Sequence, residues 1–243
     1  MVRLIPSQLL CGAFIMVMSV VSRAEDTAYD IVGSAYDADS GETLLYEERY
    51  TPVGEDGSAE VHYFNPEGDR IAHKMLDYSP GEIRPDYRLV DERHGLVWGA
   101  RALEDGRIEL TRGPEDDADT KVVLVEDPQV VDAGFDPFIQ SAWEQLVAGE
   151  RVTFHFAFPN RLTNVALRVE QIRQKDSPIV RQQDNWVYFR LRVNSALLSL
   201  FADNLYLAYE PEQKRLAVFR GTSNIPDETG EGREVEVHYR YTE

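Results

Sequence analysis

The sequence predicts an all-β protein with two short helices: a large curved antiparallel meander or incomplete β-barrel covered by those helices. Three observations lead there. From Tyr29 onward, short runs of alternating apolar and polar residues are divided by turn residues roughly every ten positions, the spacing of hairpin-connected strands. No helical crossover separates these runs before residue 135, which removes the connection that a parallel sheet requires. The runs number about a dozen, so the sheet they form must curl, close or be covered.

The chain of 243 residues opens with Arg3, an apolar run from Leu9 to Val21, and Ser22-Arg23-Ala24 ahead of Glu25-Asp26. A basic start, a short apolar centre and small residues before an acidic pair predict a secretory signal peptide over residues 1–24, cleaved after Ala24. The run is shorter than the ~20 apolar residues of a membrane-spanning helix, and no later segment comes close. Residues 25–243 are therefore expected to form one exported antiparallel β domain, periplasmic as first choice and extracellular as second, and not an integral membrane protein. Cys11 is the only cysteine and lies inside the apolar run, preceded by Leu10 where lipoprotein acylation wants a small residue. It reads as an ordinary leader residue, and its removal leaves no thiol for a disulfide, a nucleophile or a metal site.

Charge narrows the partners. The chain carries 25 Lys and Arg against 43 Asp and Glu, a net of −18, which repels nucleic acid rather than binding it. The distribution is uneven: residues 151–192 hold eight basic and three acidic side chains, while residues 25–150 hold ten and 31. Arginines on one part of the sheet can simply answer carboxylates on another. The alternative is a local cationic rim on an acidic protein.

Taken in order, the first strands are YDIVGSAYD, TLLYEERYT, SAEVHYF and RIAHKMLDY. In Asn65-Pro66-Glu67-Gly68-Asp69, proline suits the first central position of a type I turn and glycine the left-handed position of a bulge. That turn predicts Val61 opposite His73 and Tyr63 opposite Ile71, with Val61, Tyr63, Ile71, His73 and Met75 facing inward and Glu60, His62, Arg70 and Lys74 outward. The same logic at Glu104-Asp105-Gly106 sets Arg101 opposite Glu109, with Trp98, Ala100, Ala102, Ile108 and Leu110 on the other face. Pro114 to Thr120 is acidic enough to be a mobile loop before a strand at Val122 to Val125. Phe135 to Val147 places Phe138, Ile139, Ala142, Trp143, Leu146 and Val147 at three-and-four spacing, one face of a helix. Asp136 can cap it, Pro137 can begin it and Gly149 can stop it.

After Glu150 the period switches to two, putting Val152, Phe154, Phe156 and Phe158 on one side. Strands at 164–172 and 186–193 follow, then a short apolar helix near 196–201, the hairpin 204–221 and a final strand at 233–241. In the 186–193 strand, Val187, Phe189, Leu191 and Val193 face one way, and Trp186, Tyr188, Arg190 and Arg192 the other. Arg168 takes the second side of its own strand.

Catalytic patterns are weak. The five histidines are scattered, with no HExxH and no GxSxG elbow. Among them His73 alone is expected to look inward, where a hydrogen-bonded core role outweighs a ligand role. The Asp37 to Glu42 stretch misses a calcium loop, because its glycine falls one place early. No cofactor or metal is expected. The pattern that carries chemistry is aromatic and cationic: Phe154, Phe156 and Phe158 beneath a helix bearing Trp143, and Trp186 and Tyr188 beside Arg168, Arg190 and Arg192. Rings against an apolar tail and guanidinium groups against an anionic head would suit an amphipathic ligand such as a lipid or a lipidated chain. The competing readings are a structural or protein-interaction component of the cell envelope with a solid core and, third, a hydrolase-like enzyme.

FDPFIQSAWEQLVAGERVTFHFAFPNR, YLAYEPEQKRLAVFRGTSNIPD and the terminal VEVHYRY together resemble a family of uncharacterised exported bacterial proteins. The resemblance spans most of the chain after the leader and implies no activity. More loosely, a meander curled around a cavity and closed by helices is similar in architecture to periplasmic lipoprotein-carrier half-barrels.

Overall fold

The computed structural model describes residues 28–194 and 204–242. The expected signal peptide and the helix expected near 196–201 lie outside these residues. Fifteen strands form one sheet in the order β8-β7-β6-β5-β4-β3-β2-β1-β15-β14-β13-β12-β11-β10-β9. The first meander runs through β1 (Ile31–Asp37), β2 (Leu44–Tyr50), β3 (Ser58–Phe64), β4 (Arg70–Asp77), β5 (Asp86–Asp91), β6 (Leu96–Ala102), β7 (Ile108–Pro114) and β8 (Asp119–Val123). After the short β9 (Gln129–Val130), helices α1 (Phe135–Ser141) and α2 (Trp143–Val147) precede the second meander. That meander is β10 (Arg151–Phe158), β11 (Thr163–Ile172), β12 (Val187–Val193), β13 (Leu205–Glu210), β14 (Arg215–Thr222) and β15 (Glu234–Tyr241).

The first and last strands meet at the centre, where β1 pairs antiparallel with β15 from Ile31↔Tyr241 to Asp37↔Val235. The pairing joins the two meanders into one sheet. One pair departs from the antiparallel expectation, because β9 lies parallel to β10 through His155↔Gln129 and Phe156↔Val130. The hydrogen-bonded ladder is open, but its ends are stitched by side chains. Arg112 donates to the Asn160 carbonyl at 2.7 Å and Asn164 Nδ2 to the Leu124 carbonyl at 2.6 Å. Ala100, Ile108, Leu110, Val131 and Ala157 pack together beneath that seam.

The Glu104-Asp105-Gly106 hairpin has the expected register, with Arg101 opposite Glu109, Ala100 opposite Leu110 and Ala102 opposite Ile108. At Asn65–Asp69 the turn itself is as expected, with Asn65 N–H donating to the Asp69 carbonyl at 2.9 Å. The strands beyond it are not. A bulge between Tyr63 and Phe64 inserts Ile71, so Tyr63 pairs with Ala72, His62 with His73 and Val61 with Lys74. One extra residue moves every later side chain to the opposite face. His73 and Met75 therefore point outward, and Lys74 points inward.

Two further expectations change. The stretch Pro114 to Thr120, expected as a mobile loop before a strand at Val122, is instead a short hairpin, with Pro114 ending β7 and β8 starting at Asp119. The expected single helix breaks at Ala142 into α1 and α2 and starts at Phe135, with Gly134 as its N-cap and no side-chain cap. Gly134 is required there by closeness: a Cβ would lie 2.2 Å from the Ile83 carbonyl oxygen. Gly149, at φ 85°, ends α2 where the sequence placed the stop.

The concave side holds two cores. Within the second meander, Phe138, Ile139, Trp143 and Leu146 from the helices pack on Phe154, Val169, Phe189 and Tyr209. Within the first, Tyr46, Val61, Tyr63, Leu76 and Leu89 surround Ile225, which enters from the loop between β14 and β15. That loop is tied across by Arg93, which donates to the Pro226 carbonyl at 2.9 Å.

Candidate functional site

The two halves of the expected site lie on opposite faces of the sheet. Phe154 pairs with Leu167 and Phe156 with Val165, so the phenylalanine row faces inward. Phe154 is fully buried, and Phe156 and Phe158 are half-buried beside the same cluster. Trp143 is 5 % exposed and meets Phe189 and Tyr209 edge-on, with centroids 5.7 and 5.8 Å apart. Here the chain's own helices fill the concavity. His73 stands on the convex side of the first meander, hydrogen-bonded to Glu92 at 2.8 Å, far in sequence and sheet order from the aromatic and arginine rows.

The outer face of β10–β13 collects the remaining candidates, because directly paired residues on neighbouring strands share a face. One row runs Ile172, Tyr188, Ala208; the next Arg151, Glu170, Arg190, Tyr206; the third Thr153, Arg168, Arg192. Tyr188 is buried under the segment between β11 and β12, which folds back so that Ile179 packs on Tyr188, Ala208 and Val218. The Tyr188 hydroxyl accepts from Gln183 N–H at 2.9 Å and donates to the Gln183 carbonyl at 2.8 Å. Trp186 is half-buried and, with Ile172, Gln174, Asp184 and the floor at Tyr188, lines a shallow depression of about 480 Å³. Arg190 begins the row next to it.

Glu170 is the hub of the arginines. Its Oε1 accepts from Arg190 at 2.7 Å and Arg192 at 3.1 Å, and its Oε2 from Arg151 at 2.9 Å. Burial opposes its charge, yet the guanidinium groups prevail and hold its carboxyl below the usual range. Arg190 and Arg192 keep about 30 % of their side-chain surface, at 30 % and 31 %, so the cluster is open to solvent on one side. Arg168 pairs with no carboxylate among the described residues. The Nε atoms of Arg168, Arg190 and Arg192 are buried without an acceptor.

A second carboxylate holds the covering segment. Glu236 accepts from Val180 N–H at 2.8 Å, Arg181 N–H at 3.2 Å and Arg220 at 3.2 Å, and meets His238 Nε2 at 2.8 Å. Burial alone would raise its pKa, but these contacts pull it down to about 2.

The bulge that reverses His73 also creates a buried polar cluster that the sequence reading missed. Lys74 donates to Asp132 at 2.6 Å inside the first meander, beside the rings of Tyr63 and Tyr87. Burial disfavours the Lys74 charge, but Asp132 and Glu48 raise its pKa nonetheless. Glu48 accepts from the Tyr50 hydroxyl at 3.0 Å, and burial raises its pKa. Gly33 makes room for it, since a Cβ there would lie 2.8 Å from Glu48 Cγ and from the Tyr239 ring. One signal was present in the sequence: LYEERY puts Glu48 in phase with Tyr46 and Tyr50, an acid in an aromatic row.

The chain matches no protein-family model and no curated protein. It is similar to the crystal structure of a beta-barrel-like protein of domain of unknown function DUF1849 from Brucella abortus, with 8 % identity and a TM-score of 0.45, over 89 % of this chain and 100 % of that one.

Proposed function

We propose that the protein is an exported β scaffold that binds an amphipathic ligand with an anionic end on the outer face of β10–β13. The observation that carries this reading is the arrangement of that face, where a depression lined by Trp186, Ile172 and Tyr188 together with Gln171, Arg173, Gln174 and Asp184 adjoins rows holding four arginines and Glu170. A chain of net charge −18 has carboxylates to spare, yet among the described residues Glu170 alone pairs with these arginines, with Asp176 near Arg190. An apolar portion would lie against the indole of Trp186 and its charge against the guanidinium groups. The inner Phe154 row is not the preferred site, because Trp143 and Phe138 already occupy it.

Protein purified from its own compartment and examined by native mass spectrometry should carry an amphipathic anion. Trp186→Ala combined with Arg190→Gln should remove that mass without loss of folded protein. The filled inner core favours a second reading, a solid interaction component of the envelope. Ligand-free wild-type protein, with an envelope protein recovered by crosslinking, would decide for it.

A further inference from the structure

We infer that the anionic end of the ligand is a phosphate-type oxyanion held between Arg168 and Arg192, which rests on the outer-face reading above and names the chemistry of its charged half. Arg168 and Arg192 are directly opposed on neighbouring strands β11 and β12. Like charges so placed repel each other, and a sheet carries such a pair at a cost unless an anion lies between them. Glu170 does not fill that role alone. Its two oxygens already serve Arg151, Arg190 and Arg192 at 2.9, 2.7 and 3.1 Å, while Arg168 meets no described carboxylate.

The Nε atoms of Arg168, Arg190 and Arg192 are buried, as are those of Arg215 and Arg233 elsewhere in the fold, so packing holds these side chains and it is their terminal nitrogens that an anion can meet. Among the described residues, Arg151, Arg168, Arg190 and Arg192 stand against Glu170 and the nearby Asp176, an excess of two positive charges. A phosphate dianion meets this excess better than a monoanionic carboxylate, and its additional oxygens suit the planar forks of two arginines at once. Thr153, opposite Arg168 in the same row, adds a hydroxyl donor. Glu170 holds Arg190 and Arg192 through one shared oxygen.

The test is isothermal titration of the full exported chain with inorganic phosphate, dodecyl phosphate and dodecanoate at constant ionic strength, for the wild type, Arg168→Gln and Arg192→Gln. Inorganic phosphate should bind, and each substitution should weaken it about tenfold or more, the usual consequence of deleting a charged hydrogen-bond partner. Dodecyl phosphate should bind more tightly than phosphate, because the chain adds contacts with Trp186 and Ile172. Without ligand, Arg168→Gln should melt no lower than the wild type, since it relieves repulsion, but phosphate should no longer raise its melting temperature.

The outcomes separate the two ideas. Phosphate and dodecyl phosphate binding equally well would sink the amphipathic reading and leave the phosphate site standing. Dodecanoate binding as tightly as dodecyl phosphate, with neither arginine substitution mattering, would overturn the phosphate site and leave an amphiphile site. A lipid phosphate as the source predicts preference for the alkylated form, and free phosphate predicts none.

Discussion

Phe154 and Glu48 show how far single positions can be read. Phe154 is fully buried between Phe138 and Phe135, so Phe154→Ala should destabilise the fold by roughly 3–5 kcal/mol in denaturant titrations. A loss below about 1 kcal/mol would mean that the helices do not pack permanently on this row. The alternation of the sequence was enough to place Phe154, because a residue two positions from another phenylalanine shares its face. Glu48 is different. Its pKa is raised by burial above the usual 4.5, so the folded protein binds this proton more tightly than the unfolded chain. Its contribution is most favourable below pH ~4.5 and declines as pH rises through the raised value. Glu48→Gln, neutral at every pH and able to keep its contact with Tyr50, should therefore gain stability over the wild type as pH rises from 4.5 to 8. An equal loss at both ends of that range would show an ionised, paired Glu48 instead.

At the scale of elements, the covering segment between β11 and β12 depends on Glu236. The folded carboxyl titrates at about 2 against 4.5 in the unfolded chain, so the sign is opposite to that of Glu48. Its stabilisation is fully present above pH ~4.5 and disappears as pH falls towards 2, with a total on the order of 3 kcal/mol. Acid titration of stability should show this slope, and Glu236→Gln should flatten it. The same substitution should make the segment around Ile179 and Val180 more sensitive to protease, since their anchor is lost. Protease resistance equal to the wild type would mean that the packing of Ile179 suffices alone. The helical element teaches a second lesson. Three-and-four spacing located the helix at Phe135, but it does not encode the break at Ala142, whose φ of −92° and ψ of 4° end one helix and begin the next.

For the whole molecule, the sheet order puts the chain's outer strands in the middle and its middle strands at the edges. Strands β1 and β15 are paired on both sides, whereas β8 and β9 end the ladder and rely on the seam. Hydrogen exchange should accordingly be fastest in the backbone amides of β8 and β9 and slowest in β1 and β15. Replacing Arg112 and Asn164 with alanine removes the two stitches at 2.7 and 2.6 Å, and should cost roughly 1 kcal/mol each while accelerating exchange at β8 first. Uniform exchange across the sheet would show that the seam is as firm as a ladder.

The sequence by itself determined the β class, the helix and its stop at Gly149, the Arg101–Glu109 register, the inward phenylalanine row and the placement of Trp186, Tyr188, Arg190 and Arg192 on one side of their strand. These follow from period and turn chemistry, which act over a few residues. Tertiary structure decided the rest. A single bulged residue exchanged His73 for Lys74 at the interior, and the union of β1 with β15 joined two meanders into one sheet. Pairing of β10, β11 and β12 set Arg151, Arg190 and Arg192 around Glu170, with Arg168 one row away. Such contacts depend on register and curvature summed over many strands, where one residue of slip reverses a face. The arginines were visible as a local excess of charge; their convergence on one carboxylate was not.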